Sequence, residues 1–405
     1  MTEAATVDGD LPRAFLTVGG RTIARHQLDL ALALECRRVI CLARHAGAEH
    51  VALKRLAQAA GAQFNVVSGA RGLAALVGAD DELVVLGDGL LVEPRGALEL
   101  LEAGPAVLVQ PSATAVPEGF ERIDLHRAAG GAMRIPARLV ERLIDLPADY
   151  DLASALMRIA LQEGVPMREI PEAVRQGPRW RLVRDDHEAQ AVESAWIALS
   201  LGNARGATPG EAIARKAIHS YGSSLLHAGS DSRMLALGVA LLLLLAVGAG
   251  WLGATATGLV LIALGSLVER AAVMLKRVEQ GTLAPVRPGV PVTAVLDWLI
   301  DAALIALVAW QPPHPVGELL RERLFAPMML ICLLRLIPRL FERRSARWLE
   351  DRALIAGMLA FAAAAGVLSA SVELLALLIV GGALLHGGSR RATAPPPVGG
   401  VARDG

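Results

Sequence analysis

The chain is poor in aromatic residues, at 3%, and has no excess of charge, with 40 Lys and Arg against 40 Asp and Glu. A zero balance leaves no basic footprint for a polyanion, so no nucleic-acid partner is expected. Cysteine is also scarce. Cys36, Cys41 and Cys332 show no metal-ligand spacing, and no disulfide framework is expected of them. The opening dozen residues are acidic and polar, without a basic stretch running into an apolar one. No signal peptide is read there, so the N-terminal half is expected to stay in the cytoplasm. Apolar residues are in surplus instead, at 54% of 405 residues, with a mean hydropathy of +0.46. The excess lies beyond residue 233.

Before that point strands and helices alternate. Buried strands are predicted at Ala14–Val18, Arg38–Leu42, Gln63–Val67, Glu82–Leu86 and Ala106–Val109. Helices are predicted at Ile23–Leu34, Val51–Ala60, Gly72–Val77 and Ala97–Glu102, and further on at Arg138–Ile144, Leu152–Glu163 and Ala189–Leu201. This order predicts an α/β domain with a mostly parallel, Rossmann-like sheet covered on both faces. Residues 119–135 allow no clear assignment beyond a turn and strand near Ala129–Pro136. Ligands of such sheets bind at the carboxyl ends of strands. Two ends stand out. Gly19-Gly20-Arg21 is either a phosphate-binding turn or a plain tight turn. Asp88, in Gly87-Asp88-Gly89, is either a ligand for Mg²⁺ beside a nucleotide or part of a local turn.

Residues 14–199 resemble the nucleotidyltransferases of the glycosyltransferase-A type, which include sugar-phosphate and alditol-phosphate cytidylyltransferases. The likeness rests on the opening strand with Gly19-Gly20-Arg21, on Ile23 to Leu28 leading to Arg38–Leu42, on Val84 to Asp88, and on Trp180 to Ala189. It implies nucleotide binding by Gly19, Gly20, Arg21 and Asp88, with Asp88 as a metal ligand. The family's long Gly-rich basic loop is absent, and Arg184 falls near its second metal-binding Asp, beside Asp185 and Asp186.

Residues 203–233 read as a linker carrying either an interfacial or an ordinary helix at 211–226. Six apolar runs follow, at 234–252, 254–275, 292–310, 326–341, 353–370 and 372–386. They predict an all-α polytopic membrane domain of about six helices, spanning residues 234–387. Most basic residues fall on one side, with Lys276, Arg277 and Arg287 in one loop, Arg339, Arg343, Arg344, Arg347 and Arg352 in another and Arg390 and Arg391 after the last run; Arg321 and Arg323, between the third and fourth runs, are the exception. The positive-inside rule then places both termini in the cytoplasm, in a multi-pass protein of the bacterial inner membrane. Residues 1–13 and 388–405 are expected to be disordered.

Within the third run lies Asp297-Trp298-Leu299-Ile300-Asp301. Carboxylates four residues apart share one helix face. Ionisable groups in an apolar span cost roughly 2.5–3.5 kcal/mol each and turn towards a metal, a partner or a cavity. The architecture resembles a fusion of a cytidylyltransferase with the CDP-alcohol phosphatidyltransferase family. Its membrane motif runs D-x-x-D-G-x-x-A-R and then G-x-x-x-D-x-x-x-D. Asp297 and Asp301 match the closing half. In the opening half only Glu269, in Ser266 to Met274, keeps a carboxylate, and Thr293 stands at the second Gly. The resemblance implies Mg²⁺ (or Mn²⁺) held by Asp297, Asp301 and Glu269, with Asp301 as the base for the acceptor hydroxyl. It also implies a homodimer.

Three functions follow as expectations. The first is a transferase of phospholipid head-group synthesis, moving a phosphoalcohol from a CDP-activated donor to a membrane lipid. The second is a catalytically degenerate scaffold or regulator that binds nucleotide or lipid, with Glu269, Arg270 and both Asp in an internal ion-pair network. The third is a membrane-anchored glycosyltransferase.

Overall fold

The computed structural model describes residues 12–147, 150–202, 207–227, 232–280, 292–310, 320–340 and 346–392. Residues 1–11, 281–291, 311–319, 341–345 and 393–405 are among those outside them. Of the basic residues on which the predicted orientation rests, Arg287, Arg343 and Arg344 fall there. Contacts divide the chain into two compact units. One is built on residues up to 202 with 219–227 and 275–280; the other is built on 207–218, 232–274 and the described residues from 292 onward.

In the first unit a 3-10 turn at Arg13–Phe15 leads into β1 (Thr17–Val18), which folds back on β2 (Arg21–Thr22). Thr22 caps α1 (Ile23–Ala33) by accepting from the Arg25 N–H at 3.3 Å. β3 (Arg38–Leu42), α2 (Ala48–Ala59) and β4 (Gln63–Val67) form a parallel strand pair with its crossover helix. After α3 (Ala70–Ala74) come β5 (Glu82–Leu86), β6 (Leu90–Val92), α4 (Pro94–Glu102), β7 (Ala106–Pro111), α5 (Ser112–Ala115) and β8 (Arg127–Pro136). The unit continues through α6 (Leu152–Gln162), β9 (Met167–Glu169), α7 (Glu172–Arg175), β10 (Trp180–Leu182) and α8 (Asp186–Ser200).

The fold is mixed α/β, but its sheet is not mostly parallel. The four-stranded sheet runs β5-β8-β7-β9, with β8 antiparallel to both neighbours. β8 comes from the stretch that sequence left open, and it inserts between β5 and β7. The predicted first strand is also reduced, to a 3-10 turn and two residues of hairpin. The 3-10 stretch Ala137–Leu143 replaces the helix predicted at 138–144.

The layering follows from the side-chain period of two along β7. Val107 and Val109 enter one cluster with Leu139, Leu143 and Leu156. Leu108, between them, enters another with Leu30, Leu101 and Trp180. Both faces of the strand are therefore buried, as its continuous apolar sequence requires.

Helix α9 (Pro209–His227) covers the predicted linker helix. All six apolar runs fold as helices: α10 (Ser232–Trp251), α11 (Thr255–Gln280), α12 (Val292–Ala309), α13 (Leu320–Leu340), α14 (Arg352–Ala364) and α15 (Leu368–Ala392). Among the described residues, however, only Thr255–Lys276 is a helix long and apolar enough to cross a membrane. Six spans are thus not supported by length. The 13 residues of α14 rise about 20 Å, short of a hydrocarbon core of about 30 Å. The run counted to Ala370 breaks at Gly366, whose φ is 72°, and its last residues open α15.

The helical unit has an inverted polarity. Leu237, Leu244, Trp251, Leu252, Phe325, Phe361, Leu377 and Leu384 are exposed, while Ser266, Glu269, Asp301 and Asp351 are buried. Between them lies one apolar core, to which α12 contributes Leu296, Ile300, Ala303, Leu304 and Leu307. The opposite side of α12 shows Val295, Trp298 and Leu299, so the helix is apolar all round.

Candidate functional sites

In the helical unit the two acidic residues of the third run part company. Asp301 is 2% exposed, while Asp297, one turn earlier, is exposed. Arg335 of α13 donates from Nε to Asp301 Oδ2 at 2.5 Å, and Arg352 of α14 donates from Nε to Asp301 Oδ1 at 2.7 Å. Arg335 also reaches the Asp297 carbonyl oxygen at 3.2 Å and lies 3.8 Å from the ring centre of Trp298. Arg352 Nη1 donates to the Leu349 carbonyl at 2.8 Å. One carboxylate thus ties three helices together through two guanidiniums.

Glu269 of α11 is buried, and the charge of Asp297 bears on it. Its neighbour Arg270 turns elsewhere, to Glu211 at 3.6 Å and to the Glu350 carbonyl. Asp351 caps two helices at once. It accepts from the Leu354 N–H at the start of α14 and from the Gly210 N–H of α9 at 2.7 Å. Thr208 and Glu211 bond reciprocally around the same α9 terminus.

This donor set does not fit a divalent cation as the sequence motif implies. Both oxygens of Asp301 are engaged by cationic nitrogens, so a metal there would meet two guanidiniums. Among the described residues no group of three or more His, Cys, Asp or Glu is placed to hold a metal ion. The general-base role meets the same obstacle, because both oxygens that would take the proton already accept from guanidinium N–H groups.

In the α/β unit the strand ends take the turn alternative. Gly19 and Gly20, at φ 64° and 74°, form the two-residue loop of the β1–β2 hairpin, a type I′ turn. The Gly19 N–H, the donor a phosphate would use, is bound at 3.0 Å by the buried carboxylate of Glu193 from α8. Asp88 is the second residue of a type II turn closed by Leu90 N–H to Gly87 C=O at 3.2 Å, with Gly89 at φ 73°. Gln27 fastens that turn, donating to the carbonyls of Gly87 and Leu90. Asp185 caps α8 through the Glu188 N–H at 2.8 Å. Arg184 clamps Glu188 and holds its carboxyl below the usual range.

Arg21 does face a cavity. It bonds Asp29 at 2.8 Å, and Arg25 bonds the same carboxylate at 3.1 Å. Burial pushes the Asp29 carboxyl up against the pull of both cations. His26 is buried beside them, with Nε2 3.0 Å from the Val18 carbonyl and its ring edge-on to Trp196. Burial lowers its pKa to about 4. A carbonyl only accepts, so the neutral ring carries its proton on Nε2.

Sequence reasoning brought Asp301 to a buried polar centre but missed its partners. Arg335 was visible inside an apolar run, where a charge needs a counter-charge as much as an aspartate does. Glu193 carried a fainter signal, sharing a helix face with Trp196 and Ile197 at three and four residues' distance. The chain matches no family model and no curated protein.

Proposed function

We propose that the chain is a multi-pass membrane protein that acts as a catalytically degenerate scaffold and binds a small ligand through its α/β unit. The lock on Asp301 carries this reading. The residue that the transferase motif assigns as base is neutralised by Arg335 and Arg352. The engagement of Gly19 by Glu193 supports it independently. Two motif sites, one in each unit, have their ligand positions satisfied from within the chain.

Membrane embedding is supported by the inverted polarity. In water, exposed side chains such as Leu252 and Phe361, at 85% and 79%, would form apolar patches far beyond those of soluble monomers. In lipid they are solvated, and the charged centre turned inward follows the rule for membrane helices. Trp251 and Trp310 stack at the carboxyl ends of α10 and α12, where an aromatic belt is favoured. The inner membrane, cytoplasmic termini and a homodimer belong to the same proposal, from loop charge and resemblance.

The transferase with Mg²⁺ or Mn²⁺ is the competing outcome of one experiment. Polar lipids of a deletion strain are profiled by mass spectrometry, alone and complemented with wild type or Asp301→Asn. The scaffold predicts that no lipid class depends on the Asp301 carboxylate. A class lost on deletion and restored by wild type but not by a stably inserted Asp301→Asn would overturn it.

A further inference from the structure

At the carboxyl end of β7 the α/β unit carries a cavity of about 350 Å³, lined by Val109, Pro111, His126, Arg127, Met167 and Glu169 among others. Its size lies within the range of small-molecule sites. It shares no residue with the cavity beside Arg21, and none with the strand ends that the nucleotidyltransferase resemblance singles out. Strand register brings its groups together. Pro111 stands opposite Arg127 of β8, Val109 stands opposite Glu169 of β9, and Met167 lies two residues before Glu169. Opposed residues, and those two apart on a strand, share a sheet face. Arg127, Met167 and Glu169 therefore flank Val109 and Pro111 on one side of the sheet.

The two opposite charges of this face do not meet. Arg127 and Glu169 lie two strands and two residues apart, a backbone separation of roughly 12 Å at about 4.8 Å between strands and about 3.3 Å per residue. Arg127 donates from Nε to Asp124 Oδ2 at 2.8 Å, which orients the guanidinium and leaves its terminal nitrogens for a ligand. Asp124 is fixed in turn by the N–H groups of His126 at 2.9 Å and Arg127 at 2.7 Å. These bonds hold its carboxyl below the usual range. Among the described residues, the Glu169 carboxylate enters no ion pair. Between the two charges Met167, Val109 and Pro111 supply an apolar floor. A guanidinium fork and an open carboxylate, reaching in from opposite ends, hold two opposite charges a few ångströms apart. A simple anion would meet Glu169 and Asp124, and a simple cation would leave the Arg127 fork empty.

We infer that this cavity binds a free apolar α-amino acid, with its carboxylate on the Arg127 fork, its ammonium on Glu169 and its side chain over Met167 and Val109. A guanidinium matches the two oxygens of a carboxylate in a pair, which sets the orientation of the zwitterion. The inference rests on reading the α/β unit as a ligand-binding one. Its test reads affinity alone, so its failure leaves the Asp301 lock and the lipid profile untouched.

Isothermal titration of the full chain in nanodiscs, with leucine, isoamylamine and isocaproate as probes, separates the two charged contacts. Isoamylamine lacks the carboxylate of leucine, and isocaproate lacks its ammonium. Leucine is expected to bind at least about tenfold more tightly than either. Glu169→Gln and Arg127→Gln are each expected to weaken leucine about tenfold, the loss of one charge-assisted contact. Glu169→Gln should not weaken isocaproate, and Arg127→Gln should not weaken isoamylamine. Arg138→Gln, on an exposed surface away from the cavity, serves as the control and should bind leucine as wild type. Glu169 is exposed, so circular dichroism should show its variant folded. No measurable heat with leucine overturns the inference. So does an affinity matched by isoamylamine or isocaproate, or one that Glu169→Gln leaves unchanged.

Discussion

Acidification should loosen the α/β unit chiefly through His26, with His50 of α2, whose pKa burial also lowers, acting in the same direction. The imidazole is fully buried on α1, with Val18 accepting from Nε2 at 3.0 Å and Trp196 against its edge. Burial is the main force that lowers its pKa from 6.5 to about 4, and Arg21 and Arg25 add to it. Between those values the unfolded chain binds the proton and the folded one does not. Stability from this group is therefore complete above about pH 6.5 and is lost as pH falls towards 4. The linkage integral gives a loss of about 2 kcal/mol by pH 5 and about 3 kcal/mol by pH 4. Asp29 contributes with the opposite sign, since its carboxyl is raised from 3.8. The interval from pH 7 to 5 is the cleaner one for His26. Pulse proteolysis in urea, with the chain in nanodiscs, reads the unfolding of this unit at each pH. His26→Gln keeps a donor for Val18 but cannot titrate, so its stability should fall much less over that interval, by the part that His50 contributes. A wild type as stable at pH 5 as at pH 7 would refute the reasoning, as would a His26→Gln variant with an undiminished slope.

Two more substitutions test the helical unit. Asp301→Ala strands Arg335 and Arg352 without their shared counter-ion and should cost about 3–5 kcal/mol in detergent-solubilised thermal unfolding, whereas the triple change Asp301→Leu, Arg335→Met, Arg352→Met should recover most of that loss. A triple variant as unstable as the single one would show that the ion triad is not the source of the effect. Gly210→Ala places a Cβ 2.5 Å from Asp351 Oδ1 and breaks the cap that α9 shares with α14. It should cost about 1–2 kcal/mol and speed amide exchange at residues 209–213, and unchanged exchange there would count against the shared cap.

Local order was open to reading from the residues alone. The strands at Arg38–Leu42, Gln63–Val67 and Glu82–Leu86 stand where their apolar runs place them, and α1, α6 and α12 follow their periodicity. Such features depend on neighbours within a few residues, which is what periodicity and capping report. The spacing of Asp297 and Asp301 predicted a shared face, but the structure buries Asp301 and leaves Asp297 exposed; what the apolar run did require was some partner for a buried carboxylate. Pairings across long separations were not readable. β8 inserts antiparallel between two strands because its ladder and core contacts favour that seat, and nothing in Arg127–Pro136 names its neighbours. Glu193 reaches Gly19 across 174 positions. Arg335 and Arg352 meet Asp301 across 34 and 51. The sequence by itself determined many of the helices and strands, though not β8, the short β1–β2 hairpin or the 3-10 stretch Ala137–Leu143, and it determined that α12 carries a buried charge. Tertiary structure decided what neutralises that charge, because ion-pair partners are selected by how helices pack and not by their spacing along the chain.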